Sequence, residues 1–194
     1  AGFFFILENQ VRVGDVAVVN GTGGLVEAED EDGLARGVAI HRALELLTGP
    51  NPPDADTLAA RIAAELALAA RREELEAWIG EALAARDHPA FADVFQPAPG
   101  IEARNELPIL YARDGRRVYG LIDRLLIGDE RVVVVDYKTH RVEAGQCDAL
   151  ATHYAPQLKL YADGLRRLWP QKAIDARLLF THAGRQVRVD LEGA

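Results

Sequence analysis

Leu121-Ile122-Asp123-Arg124-Leu125-Leu126-Ile127, then Gly128-Asp129-Glu130, then Arg131-Val132-Val133-Val134-Val135-Asp136-Tyr137-Lys138-Thr139 is the stretch that decides how this chain folds. Four consecutive valines form an unbroken apolar run, as in a strand buried on both faces. The run ends abruptly in Asp136-Tyr137-Lys138. Alternate side chains of a strand share a face, so Asp136 and Lys138 point the same way. The preceding strand holds one acid, Asp123, among Leu and Ile. With Asp129-Glu130 as a two-residue turn, Asp123 lies directly across from Asp136, where Cβ atoms of cross-strand partners are about 4.5–5.5 Å apart. Turning at Gly128-Asp129 instead shifts the register by two residues and keeps both acids on one face. Carboxylates that close repel unless a proton or a cation sits between them. Mg²⁺ or Mn²⁺ suits the pair, being hard cations that prefer carboxylate oxygens. Beside such a cation the Lys138 ammonium can orient or deprotonate a water, or neutralise charge on a phosphate. Only three lysines (138, 159 and 172) stand among the 22 basic residues, so a Lys at this spot suggests that a compact ammonium is wanted there.

Working outward, Arg104–Tyr111, Arg117–Ile127 and Arg131–Lys138 read as three strands, His153–Leu168 as a helix, and Ala176–Thr181 with Gln186–Leu191 as a closing pair of strands. Upstream, Gly33–Leu47 has helical periodicity, with Leu34, Val38, His41, Leu44 and Glu45 on one stripe. Gly49-Pro50-Asn51-Pro52-Pro53 stops that helix. Asp54 or Asp56 caps a second helix running to about Arg71, and a third covers roughly Glu73–Arg86. Residues 1–32 form a partly irregular lead-in, with a short strand over Val11–Val19, a loop over Gly21–Gly24 and an acidic run over Glu27–Asp32. Residues 33–194 then make one domain, mainly helical over 33–100 and α/β over 101–194. The expected fold is a mixed α/β sheet core flanked by helices, with a helical insertion in front.

Bulk properties narrow the classes. At 194 residues, 49% apolar and 27% charged, the chain is an ordinary globular domain. Membrane spans need roughly eighteen unbroken apolar residues, and none exist here. The apolar start, Ala1–Leu7, lacks the basic leader of a signal peptide, so a cytoplasmic protein is expected. One cysteine, Cys147, excludes an internal disulfide framework and a Cys-rich zinc or iron–sulfur site. A start at Ala1 and the absence of Met are expected of a fragment of a longer chain. The net charge of −8 counts against autonomous tight DNA binding. It does not count against a domain to which DNA is fed by a neighbour. No Walker A loop is present, so these residues hold no ATP motor of that kind.

Five blocks together resemble the RecB-type branch of the PD-(D/E)xK nucleases: Gly37-Val38-Ala39-Ile40-His41, Glu106-Leu107-Pro108-Ile109, Gly120–Leu125, Asp136-Tyr137-Lys138-Thr139, and Gln157-Leu158-Lys159-Leu160-Tyr161. The likeness is closest to the C-terminal nuclease domains of AddA-type, UvrD-like helicase–nucleases. It implies a restriction-endonuclease-like fold and Mg²⁺-dependent (or Mn²⁺-dependent) hydrolysis of DNA, chiefly single-stranded, during bacterial double-strand break repair. It implies as metal ligands His41, Asp123, Asp136 and the Tyr137 backbone carbonyl, with Lys138, Asp136 and Asp123 catalytic. Glu106, Gln157 and Tyr161 would support the site or contact DNA. The implied partners are DNA, the remainder of a helicase polypeptide and an AddB-like protein, with no membrane. Relatives that carry an iron–sulfur cluster need four cysteines, so the resemblance is to the cluster-free kind.

Plainer readings stand beside these. Asp123 can pair with Arg124 or another Arg, and Asp136 can merely end a strand. His41 can be a buried histidine bonded to a backbone carbonyl. Gln157 and Tyr161 can be packing residues with polar tips, and Glu106 a partner for Arg104 or Arg124. His140, His153, His182 and Cys147 read as surface or core. The whole domain could instead be a silent, nuclease-like docking module or a self-standing exonuclease. A retired site, however, has no reason to keep buried like charges.

Overall fold

In the computed structural model, residues 16–17 and 31–192 are described. Most of the lead-in, including the loop over 21–24, the strand over 11–19 except Val16–Ala17, and most of the acidic run, lies outside the described residues. Strand β1 is Val16–Ala17, β2 Glu102–Arg113, β3 Arg116–Ile127, β4 Arg131–Lys138, β5 Ala173–Phe180 and β6 Arg185–Val189. Every residue of β4 from Val132 to Lys138 is buried, as its apolar run requires.

The β3–β4 ladder pairs Ile127 with Val132 and Arg124 with Val135, which places Asp129-Glu130 at the turn. β5 lies parallel on the other edge of β4 and β6 antiparallel to β5. β2 runs antiparallel along β3, turning through Asp114 and Gly115 at φ 51° and 75°. That is the two-residue hairpin geometry an Asp-Gly pair favours. β1 pairs in parallel with Val118 and Tyr119 of β3.

Helices cover both faces. On one side lie α1 (Glu31–Leu47), α2 (Ala55–Glu65), α3 (Arg72–Arg86) and α4 (Ala92–Phe95). Their Ile40, Leu44, Leu58, Ile62 and Trp78, with Phe91 just before α4, pack with Leu126, Val133, Val135 and Tyr137 of the sheet. On the other side α5 (Cys147–Leu168) packs Tyr154, Leu158, Tyr161 and Leu165 against Ile122, Leu125, Val132 and Val134. This is the mixed sheet with flanking helices and a helical run in front that the sequence led us to expect.

Four details differ from the sequence reading. In α1, Leu34 and Val38 are 49% and 45% exposed, whereas Arg36, Ala39, Ile40, Ala43, Leu44 and Leu47 are buried. The packed stripe is thus rotated from the expected one, because it contains a buried arginine that a count of apolar residues passes over. Helix α2 stops at Glu65, not Arg71: Ala67 takes φ 54°, and Leu68 folds back with its N–H on Ala63 O at 2.9 Å. An Ala in the left-handed region is a helix stop that composition does not announce. Helix α5 begins at Cys147, behind a Glu143–Gln146 capping box, and runs through Pro156. Burial of Cys147, Ala151 and Tyr154 on its first turns offsets the interior proline, which costs about 3 kcal/mol. Finally, Ala92–Phe95 forms a short helix where none was expected.

Candidate active site

The β3–β4 ladder ends at Arg124 and Val135, one residue short of the two acids. The next pair outward is Asp123 and Asp136. Beyond it the backbone bond is replaced: the Tyr137 N–H donates to Asp123 Oδ2 at 2.6 Å. The N–H and C=O of one strand residue lie on the same edge. The Tyr137 carbonyl is therefore also on the Asp123 edge of β4. Both carboxylates are essentially inaccessible, Asp123 and Asp136 each 1% exposed.

From α1, His41 sets Nδ1 3.2 Å from Asp123 Oδ1, and its ring meets the Tyr137 ring edge-on at 5.7 Å. His41 therefore contacts a carboxylate, and no backbone carbonyl is seen in that role. Asp136 Oδ2 lies 2.8 Å from Lys138 Nζ but receives no well-aligned hydrogen bond. From α5, Gln157 donates to Asp136 Oδ1 at 3.2 Å and to the Tyr161 hydroxyl at 3.0 Å, and its Oε1 stands 3.5 Å from Lys138 Nζ. Tyr161 in turn donates to Leu121 O at 2.9 Å. Gln157 and Tyr161 are one helical turn apart on one face, and that face is turned to the Asp136–Lys138 end of β4.

Glu106 sits in β2 between the Asn105–Arg124 and Leu107–Ile122 pairs, at the position across from Asp123. Its φ is 49°, a conformation costing a non-glycine residue roughly 1–2 kcal/mol. The kink switches the faces of β2, so that Asn105 reaches α1 while Leu107 packs toward α5. The plainer partners are taken elsewhere. Arg104 pairs with Glu102 at 2.7 Å, and Arg124 donates to Val94 O and Asn105 Oδ1 at 2.8 and 2.7 Å.

Electrostatics follow from this crowding. Burial, then the Asp123 charge, pushes the Glu106 carboxyl up to about 8. Burial likewise raises Asp136, with Lys138 pulling the other way and Asp123 adding to the rise. For His41 burial opposes protonation, but the charge and hydrogen bond of Asp123 outweigh it, and the imidazole is held above its ordinary value. Burial first and the Asp123 charge second favour the protonated carboxyls, and the Asp123 charge favours the protonated imidazole. A bound cation answers that charge equally well.

Among the described residues no three His, Cys, Asp or Glu side chains converge as a ready-made cation cage. The donor set still fits one. Neighbouring ligands of an octahedral ion at about 2.1 Å stand about 3 Å apart, close to the His41–Asp123 separation of 3.2 Å. Asp136 Oδ2 faces Lys138 Nζ at 2.8 Å without an aligned hydrogen bond, so a cation there would share the carboxylate with the ammonium.

The sequence reading passed over a second layer. Arg36, buried in α1, pairs with Glu81 of α3 and donates to the carbonyl of Thr139. Thr181 donates its hydroxyl to Glu81 Oε1 at 2.6 Å and its N–H to Lys138 O at 3.0 Å. Both carbonyls at the end of β4 are thereby tied to α1, α3 and β5. Gly37 completes the approach, since a Cβ there would come within 3.2 Å of Thr139 Oγ1. Removing one partner of a buried pair strands the other. Arg36→Met is therefore expected to cost about 3 kcal/mol by denaturant melting, the low end of the range because Glu81 keeps the Thr181 hydroxyl and some exposure. The double replacement Arg36→Met/Glu81→Leu is expected to recover most of that loss. A double variant no more stable than the single one would show that the pair carries more than its own charges.

Parts of this chain are similar to known proteins. A 107-residue stretch, 55% of this chain, is 27% identical to an ATP-dependent helicase/nuclease subunit of Clostridium perfringens (strain SM101). An 82-residue stretch is 37% identical to the protein of the same name from Desulforudis audaxviator, covering 42% of this chain. These matches span only 8% and 6% of those proteins' lengths. Among solved structures, that of SSO0001 aligns over 79% of this chain and 76% of its own at 15% identity and a TM-score of 0.35, too loose to carry an argument. The family model of the PD-(D/E)XK nuclease superfamily matches residues 18–192, from just after β1 through β6, and the chain belongs to that superfamily.

Proposed function

We propose that this chain is the cutting domain of a bacterial helicase–nuclease, hydrolysing phosphodiester bonds of single-stranded DNA with Mg²⁺ or Mn²⁺ bound at His41, Asp123, Asp136 and the Tyr137 carbonyl. The observation that carries the reading is two carboxylates, an imidazole and an ammonium gathered at one buried strand end. A cation bound there would supply a Lewis acid and an acidified water. The chain's own residues do the rest. Lys138 presents a full positive charge where charge develops on the phosphate. Gln157 fixes the direction of both Asp136 and Lys138, and Tyr161 fixes Gln157. Glu106, kinked beside Asp123, shapes the mouth of the site.

The setting is a proposal of the same kind. Relatives named as ATP-dependent helicase/nuclease subunits suggest a longer polypeptide with its own motor, an AddB-like partner and a part in recombinational repair of double-strand breaks. A net charge of −8 suits a domain to which DNA is delivered. Among the described residues no helix is long and apolar enough to cross a membrane, and a cytoplasmic setting fits a DNA substrate.

The test combines calorimetric Mn²⁺ titration with digestion of a labelled single-stranded oligonucleotide. The expected result is binding and metal-dependent cleavage by this chain, both lost in Asp136→Ala. Cleavage surviving in chelator would sink the reading, and absence of Mn²⁺ binding would favour a silent docking module.

A further inference from the structure

We propose that Tyr154 is a positioning residue for Lys138, its ring forming the floor on which the ammonium is held. Lys138 Nζ lies 3.8 Å from the centroid of the Tyr154 ring, within the roughly 6 Å over which a ring face attracts a cation. The contact is shut away from water, Lys138 being 1% and Tyr154 5% exposed, which is where such attraction is strongest. Around Nζ stand an aromatic face, the Asp136 carboxylate and the Gln157 carbonyl oxygen. All three are neighbours that attract a cation, two from α5 and one from β4 itself.

The ring is itself fixed. His140 Nε2 and the Tyr154 hydroxyl share a hydrogen bond of 2.7 Å, and the two rings lie nearly parallel, 5.7 Å apart. His153 packs edge-on against the same ring at 5.0 Å. On α5, Tyr154, Gln157 and Tyr161 follow at i, i+3 and i+7, one face of the helix. Gln157 orients Lys138 from one side and Tyr154 supports it from beneath. A long side chain with four rotatable bonds would otherwise lose much of its freedom only on meeting substrate. Tyr154 thus gives the Lys138 side chain its fixed place at the end of β4, beside Asp136.

This inference rests on the nuclease reading, and its test separates the two. Tyr154→Phe keeps the ring and loses the hydroxyl; Tyr154→Leu loses the ring. In the full chain with Mg²⁺ and a single-stranded oligonucleotide, Phe is expected to keep kcat within about twofold. Leu is expected to lower kcat by about 10- to 30-fold with KM within about twofold. Independently of activity, the Lys138 ε-methylene proton resonance of the metal-free chain should show the upfield displacement of a group above a ring. That displacement should persist in Phe, lessened by loss of the hydroxyl's tether to His140, and vanish in Leu. His140→Ala, which removes both the tether and the stacked ring, should reduce it. Leu with the parent kcat, or an unchanged Lys138 resonance in either Leu or His140→Ala, overturns the proposal. A parent chain without activity but with the ring-shifted resonance would refute the nuclease reading and leave the Tyr154–Lys138 contact standing.

Discussion

Lys138→Ala is expected to reduce phosphodiester hydrolysis by about a thousandfold or more while leaving cation binding intact or tighter. The first half follows from position: the ammonium stands 2.8 Å from Asp136 Oδ2, beside the proposed cation and within reach of a phosphate held by it. Removing a single neutral donor from a developing anion typically costs about 10²–10³ in rate, and Lys138 contributes a full charge in a dry site. The second half follows from Coulomb's law, since the ammonium repels any cation that Asp123 and Asp136 attract. The variant leaves Asp136 buried with Gln157 as its side-chain hydrogen-bond donor and Asp123 nearby. The Asp136 carboxyl, already raised by burial, then takes a proton in the metal-free state and keeps the fold. Single-turnover cleavage and Mn²⁺ calorimetry on the same preparation check both halves together. Loss of activity with loss of binding would mean a collapsed site. Robust cleavage by the variant would remove Lys138 from the mechanism.

The parts legible in the sequence were those whose signals are local. Four valines before Asp-Tyr-Lys marked β4, and either turn the sequence allowed kept Asp123 and Asp136 on one face; the ladder takes the Asp129-Glu130 turn. Gln157 and Tyr161, one turn apart, show their shared face by spacing alone. His41 required the family resemblance, because its contact with Asp123 joins residues 82 positions apart. What stayed hidden is non-local or polar in unexpected places. Arg36 reaches Thr139 across 103 residues and sits on the packed side of α1, so apolar periodicity placed that side wrongly. The left-handed backbone at Glu106 is imposed by β2 having to serve α1 and α5 on opposite faces, and no residue type advertises it. Tyr154 and His140 meet across 14 positions, from α5 back to the segment after β4, a contact no spacing announces. In each case tertiary packing outweighed a local rule, and each case borders the site.

Asp123→Asn is expected to abolish cleavage and, in the cation-free protein, to flatten the dependence of stability on pH. The amide is isosteric, and its oxygen can still accept the Tyr137 N–H that closes the strand end, so the backbone has no reason to move. What disappears is a charge that acts on three neighbours. In the parent, Glu106 is pushed up to about 8 from an ordinary 4.5, and Asp136 and His41 are also raised, each in part by Asp123. All three hold protons more tightly folded than unfolded. For Glu106 the unfolded chain releases its proton first, so stability drains away as pH climbs from about 4.5 to about 8. Asp136 contributes in the same sense from its ordinary carboxylate value upward. The His41 contribution is complete below the ordinary 6.5 and is lost as pH rises through its raised value. The cation-free parent should therefore melt at progressively lower temperature between about pH 5 and pH 8.5, and Mn²⁺ should restore more at the alkaline end, where no proton competes with it. With Asp123 neutral, Glu106 and Asp136 lose part of their repulsion and His41 loses its counter-charge. The melting temperature of the variant should then fall less over the same range and respond little to Mn²⁺, while cleavage drops by at least about 10²–10³-fold. A variant with the parent's slope would show that burial alone sets these protons, and that Asp123 and Asp136 do not share one pocket of charge.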